Sequence, residues 1–303
     1  MVLIDPGEKA CVEIYNSSKG AGDESFPVAS VLIDPALRPH IRAFYELARA
    51  ADDIADDPHL DSDQKLARLD AISDVLSGDH QGVPDSNTAA GIDSLPARAL
   101  AASLTETGVS PTHAKNLLVA FRQDAVKQRY ADWAELMDYC CLSAAPCGRY
   151  LLVLHGETGA ETEKAADALS VALQVINHIQ DCRADYQNLD RVYIPMDWFE
   201  AEDTGVDELA SSVASPAMRR VLNRMLAGVD QLLADAESLP AQIGNIRLAL
   251  EAAVVLAIAR ELNRWLKTKD PLAGPVRHTK GQIAWRAIIG LVQGVHIRLW
   301  CRH

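Results

Sequence analysis

The sequence predicts an all-α protein, a single bundle of about ten helices. From residue 36 onward apolar side chains recur with a helical period, and no run alternates apolar and polar residues as a half-buried strand does. Proline and glycine fall between these stretches, as at Gly82–Pro84, Gly159 and Pro271–Pro275.

Taken in order, residues 1–24 are irregular and rich in serine, glycine and charge, which predicts a flexible leader before a single all-helical domain over 25–303. Lys19–Gly22 has the outline of a glycine loop but lacks a third glycine and any βαβ setting, so no nucleotide loop is expected. Leu37, Ile41, Phe44, Leu47 and Ala48 form the first apolar stripe, and Leu66, Leu69, Ile72 and Leu76 the second. Further helices are expected near 94–107, 111–128, 131–155, 162–186, 214–238, 243–268 and 281–300. Residues 168–180 carry no formal charge with His178 neutral, so this helix should run through the middle of the fold. No repeat of solenoid length is present.

The chain has 303 residues, 29 Lys and Arg against 42 Asp and Glu, and a formal net charge of −13. Such acidity argues against bulk nucleic-acid binding, which needs cations on the phosphates. The six cysteines show no CxxC pair and no zinc-like spacing with histidine, so reduced thiols in a cytoplasmic protein are expected. The opening MVLIDPGEKA lacks a basic start followed by an apolar run, so no signal peptide is expected. No stretch approaches the roughly 18 uncharged apolar residues that span a bilayer.

Two acidic segments stand out. Asp52-Asp53-Ile54-Ala55-Asp56-Asp57 ends the helix that carries Tyr45 and Arg49. Positions i and i+4 share a helical face, so Asp52 and Asp56 point together, at a helix end where the macrodipole disfavours acids. Cation binding would repay both costs; a solvated acidic turn before Pro58 is the plainer alternative. The second set is Asn177, Asp181 and Asp185, spaced i, i+4, i+8, with Gln174 one turn earlier. These hard oxygen ligands suit Mg²⁺; an ordinary capped helix end is the alternative. Two such helices could clamp metal ions that neutralise a diphosphate leaving group, with an apolar chamber sheltering the cation left behind. Leu173, Val175, Ile176 and the small residues Ser143–Gly148 are candidates to line it, or plain core.

These segments carry a resemblance. FYELARAADDIADD resembles the first aspartate motif of the squalene/phytoene synthase family, and NHIQDCRADYQNLDRVYIP the second. Ser25-Phe26 stands at the expected place before the first motif, as a substrate-binding pair, and MDYCCLSAAPCGR resembles the block between the motifs. The likeness spans roughly 22–290, and SFPVAS, RQD near residue 122 and SAAPCGR are most similar to the hydroxysqualene synthase branch of bacterial hopanoid biosynthesis.

The resemblance implies an isoprenoid-synthase-type helical fold holding two or three Mg²⁺ ions, with no nicotinamide cofactor. It implies that Asp52, Asp56, Asn177, Asp181 and Asp185 bind the metals, with Gln174 beside them. Tyr45, Arg49, Arg191 and Tyr193 would contact the diphosphate or its metal shell, and Tyr139 would face the reacting carbons. Plainer roles stay open: Arg49 pairing with Asp53, and Tyr193 as a core aromatic. The sequence departs from several relatives in carrying Gln180 where they have arginine, and in one added residue between Asp185 and Arg191.

From Arg277 to His303 there are five formal cations, Arg277, Lys280, Arg286, Arg298 and Arg302, and no acid, interleaved with apolar residues such as Trp285 and Trp300. Arg277 and Lys280 are candidates to reach the diphosphate, as a basic pair can in relatives. A basic amphipathic helix also predicts peripheral contact with an anionic membrane, checked by co-sedimentation with anionic vesicles.

Three functions follow as expectations. The first is a lyase that takes presqualene diphosphate to hydroxysqualene by ionisation, rearrangement and water capture. The second is a transferase that joins two farnesyl diphosphates head to head, giving presqualene diphosphate or squalene. The third is a non-catalytic helical subunit among neighbouring pathway enzymes.

Overall fold

The computed structural model describes residues 32–78, 93–277, 281–282, 289–292 and 294. The leader, Ser25, Phe26 and Lys280 lie outside them, as do most of the C-terminal cations. The described residues hold eleven α-helices and one 3-10 helix up to Leu266, with further helical residues at 281–282 and 289–292, and their only β pairing is the isolated bridge between Arg129 and Val192. They form two compact units: the described part of Ala36–Val126, and that of Ser25–Pro35 with Lys127–His303.

In the first unit α1 spans Arg38–Asp56, α2 Ser62–Ser77, α3 Leu95–Thr107 and α4 Thr112–Asp124. Helix α1 buries Ile41, Phe44, Leu47, Ala51, Ile54 and Ala55 at the helical period and packs against α3 and α4. It stops at Asp57, whose extended backbone (ψ 114°) suits the residue before a proline. A capping box opens α2, where the Asp61 carboxylate accepts from the Gln64 N–H and the Gln64 side chain from the Asp61 N–H. Gly78 and Gly108 close α2 and α3 at φ 75° and 70°, where a side chain would be strained.

In the second unit α5 spans Trp133–Ser143, α6 Ala145–Leu154, α7 Ala160–Leu189 and α8 Met196–Ala201, followed by a 3-10 turn at Val206–Ala210. Then come α9 Pro216–Asp235, α10 Leu239–Gln242 and α11 Ile246–Leu266. The expected stretch 131–155 is two helices. Ala144 separates them with a backbone stretched away from ideal helix angles (φ −119°, ψ −46°), and Pro146 sits in the first turn of α6, where its missing N–H does no harm.

Helix α7 has 30 residues and runs against α5, α6, α9 and α11. Its uncharged middle section buries Val171, Ala172, Val175, Ile176 and Ile179. The small residues of α6 let it come close: a Cβ on Gly148 would stand 2.5 Å from Ser170 Oγ of α7. That close approach accounts for Gly148 as core packing. Val175 and Ile176 are fully buried, so they too act as core. Near the C-terminus, a Cβ on Gly290 would stand 2.6 Å from Val254 Cα and one on Gly294 2.9 Å from Ala253 Cβ, so this turn of helix lies tightly on α11. None of the described helices is long and apolar enough to cross a membrane.

Candidate functional site

Helical spacing places Tyr45, Arg49, Asp52 and Asp56 on one face of α1. Arg49 forks between two acids, with Nη1 donating to Asp52 Oδ2 at 2.5 Å and Nη2 to Asp53 Oδ1 at 3.0 Å. The expected Arg49–Asp53 pair is therefore present, with Asp52 sharing it. Burial and the neighbouring Asp56 carboxylate push the Asp52 carboxyl up to about 7; Asp124 and Asp53 add to the rise and Arg49 opposes it. Asp124, the last residue of α4, is itself buried at 4% exposure. A carboxylate raised by burial and by like-charged neighbours is one a divalent cation would relieve.

In the second unit, Gln174, Asn177, Asp181 and Asp185 follow one side of α7, all half-buried. Arg277 Nη2 donates to Asp181 Oδ1 at 2.7 Å, so a candidate diphosphate ligand meets a candidate metal ligand. Two α7 side chains hold the loop bearing Arg277: Gln180 donates to the Val276 carbonyl, and Arg183 to the Leu272 carbonyl at 2.9 Å. Gln180 is buried, so the position where several relatives carry arginine supports this loop.

The chain reverses after α7 at Asp190 (φ 49°), and the Arg191 N–H donates to the Asp185 carbonyl at 3.1 Å. The segment then runs beside 128–131, with Val192 N–H on the Gln128 carbonyl and Met196 N–H on the Tyr130 carbonyl, both 2.9 Å. This alignment builds an aromatic cluster. The Tyr193 ring lies 5.6 Å from Tyr130, 5.3 Å from Tyr139 and 3.6 Å, stacked, from His178. The Tyr139 hydroxyl donates to the Tyr193 oxygen at 3.4 Å, and Arg191 Nη1 donates to the same oxygen at 3.3 Å. Arg191 and Tyr193 are both buried, so Tyr193 is a core aromatic that also carries hydrogen bonds. Burial and the Arg191 guanidinium push His178 down to about 3, leaving a neutral imidazole.

Each unit thus gathers its own share of the expected residues: Tyr45, Arg49, Asp52 and Asp56 in the first, and Tyr139, Gln174, Asn177, Asp181, Asp185, Arg191, Tyr193 and Arg277 in the second. Among the described residues no three His, Cys, Asp or Glu side chains gather as a metal site. Paired oxygens suit Mg²⁺ all the same, because it keeps several waters and commonly takes only one or two carboxylates besides substrate phosphates. A cleft of about 290 Å³ opens between α9 and α11, lined by Asp230, Glu237, Arg260, Asn263, Arg264 and Lys267 and by none of the candidate residues. Its charges pair across it, Arg260 with Glu237 and Lys267 with Asp230, so we do not assign the chemistry there.

Sequence reasoning passed over Asp124, Tyr130 and His178. His178 had a usable signal: it lies one turn after Gln174 and one turn before Asp181. Asp124 entered only as part of the RQD likeness, with no site role, and Tyr130 lies far along the chain from the residues it meets.

A model of the squalene/phytoene synthase family matches residues 20–281. The hydroxysqualene synthase of Rhodopseudomonas palustris is 43% identical over 257 residues, covering 85% of this chain and 84% of that protein. The hydroxysqualene synthase of Zymomonas mobilis is 38% identical over 275 residues, covering 90% of this chain and 89% of its own. Among solved structures, a squalene synthase from Alicyclobacillus acidocaldarius superposes with a TM-score of 0.71 at 25% identity, covering 88% of this chain and 94% of that one.

Proposed function

Because this chain belongs to the squalene/phytoene synthase family, we propose that it converts presqualene diphosphate to hydroxysqualene and diphosphate. Membership in a family of synthases sets aside the non-catalytic subunit. The likeness to two hydroxysqualene synthases, each aligned over most of both chains, supports this branch of the family.

One observation carries the chemistry: a line of oxygen ligands on α7 ends beside Arg191, whose guanidinium bonds the hydroxyl of an aromatic cluster. Such a border between polar and aromatic walls suits a substrate with a charged head and an apolar body. Mg²⁺ bound by Asp52, Asp56, Asn177, Asp181 and Asp185 would stabilise the negative charge that builds on the departing diphosphate. Arg191 and Arg277 add fixed positive charge for the same oxygens, and Arg49 holds Asp52 in a set orientation. The C–O bond breaks with its electron pair leaving on diphosphate. The carbocation left behind would face the π surface of Tyr139, which attracts cations without offering a nucleophile. Rearrangement and capture by water complete the turnover, and no reductant enters.

Feeding the purified protein presqualene diphosphate in one reaction and farnesyl diphosphate in another, with product masses read out, tests this. Hydroxysqualene from the first substrate is the expected result. Turnover of farnesyl diphosphate alone would replace the lyase by the head-to-head transferase.

A further inference from the structure

We propose that His178 holds the water that captures the cation, and thereby makes the product an alcohol rather than a polyene. This rests on the lyase reading above.

Helical rotation of about 100° per residue puts Gln174, Asn177, His178, Asp181 and Asp185 within one arc of roughly 100° on α7. His178 therefore shares the face assigned to the substrate head. Its ring is 5% exposed, stacks on Tyr193 at 3.6 Å and lies 6.1 Å from the Tyr139 ring. Its Nε2 is buried and has no hydrogen-bond partner. A buried polar atom without a partner is costly, and a trapped water is the usual remedy. The neighbouring hydroxyls of Tyr139 and Tyr193 are engaged with each other and with Arg191. The imidazole nitrogen is thus a polar foothold within an aromatic wall.

In the step itself, a lone pair of the water oxygen forms the new C–O bond. One O–H bond of that water breaks, and its proton passes to the diphosphate already released. His178 orients the water and gains or loses no proton. Without the anchor, a C–H bond next to the cation loses its proton to the same diphosphate, and the product is a polyene.

The test compares the full-length wild type with His178→Phe and His178→Asn, each given presqualene diphosphate. Phenylalanine keeps the stack on Tyr193 and removes the nitrogen. The expected result is near-normal diphosphate release with the alcohol-to-polyene ratio lowered roughly tenfold, the scale of one lost hydrogen bond. Asparagine, which keeps a polar atom, should recover part of the alcohol. If His178→Phe fails to fold, His178→Met takes its place with the same readings. An unchanged ratio overturns the proposal, as does an asparagine variant no better than phenylalanine. A folded variant that no longer releases diphosphate also overturns it, because the water acts after ionisation. Failure of the wild type to make hydroxysqualene defeats both the lyase reading and this one; a normal wild type with an unchanged variant ratio defeats only the water assignment.

Discussion

On α1 the acids Asp52, Asp53 and Asp56 crowd the last turn and Asp124 adds its charge, whereas α7 spaces Asp181 and Asp185 one turn apart along 30 residues. Burial pushes the Asp52 carboxyl upward most, Asp56, Asp124 and Asp53 add to the rise, and Arg49 opposes it. The α7 group is laid out more openly, and Asp181 already has Arg277 as a counter-ion. That arginine sits on a loop that Gln180 and Arg183 tie back to α7 itself. One region stores like charge that a cation would release; the other carries part of its neutralisation in the chain.

The comparison breaks most sharply under alanine substitution. Asp52→Ala and Asp181→Ala should each lower kcat by roughly a hundred- to a thousandfold, as expected when a charge-stabilising element is removed. Both should keep the fold, since α1 and α7 are held by their buried apolar faces. A near-normal rate in either variant, measured with the native substrate, would remove that segment from the chemistry.

Next in size is a difference in pH response. His178 sits near 3 in the fold against an ordinary 6.5, so the unfolded chain takes up its proton first as pH falls. Its stabilising contribution is complete above pH 6.5 and is lost below it, by about 2 kcal/mol between pH 6.5 and 5. In His178→Phe the fall in Tm over that interval should shrink correspondingly. Asp52 has the opposite sign. Its folded value near 7 lies above the unfolded one, so it costs stability as pH rises from about 4 to 7. Asp52→Asn should therefore gain more in Tm at pH 7.5 than at pH 5, and an equal gain at both would show that the crowding is relieved in another way.

The smallest effect is expected from Arg277→Gln. The Arg277–Asp181 pair is half exposed on the arginine side, at 50% against 33%, and such pairs contribute roughly 0–1 kcal/mol to stability. Unfolding should change by less than about 1 kcal/mol while the KM for the diphosphate substrate rises. A large loss of stability would mark Arg277 as a structural residue instead.

Much of this arrangement was legible because helical period fixes direction. The stripes Tyr45–Arg49–Asp52–Asp56 and Gln174–Asn177–Asp181–Asp185 follow from spacing once the helices are granted. The break at Ala144 was hidden because Pro146 stands in the first turn of a new helix, where proline is tolerated, and the apolar pattern runs on unbroken through it. Gln180 read as a missing cation, yet its side chain turns to a backbone carbonyl 96 residues away, a contact that no local pattern encodes. His178 was passed over because a neutral imidazole in an uncharged helix looks like core; its register with Gln174 and Asp181 hinted otherwise, and its stack on Tyr193 and bare Nε2 distinguish it. Asp124 and Tyr130 depend on chain reversals that bring α4 under α1 and residues 128–131 beside 192–197.

The central proposal is that each acidic segment is required for Mg²⁺-dependent binding of the diphosphate. Calorimetric titration with inorganic pyrophosphate, with and without Mg²⁺, tests it on wild type, Asp52→Ala and Asp181→Ala. The account predicts tight binding by wild type only when Mg²⁺ is present, and loss of that binding in both variants. Wild-type affinity for pyrophosphate that ignores Mg²⁺, or a folded variant that still binds as wild type does, would contradict it.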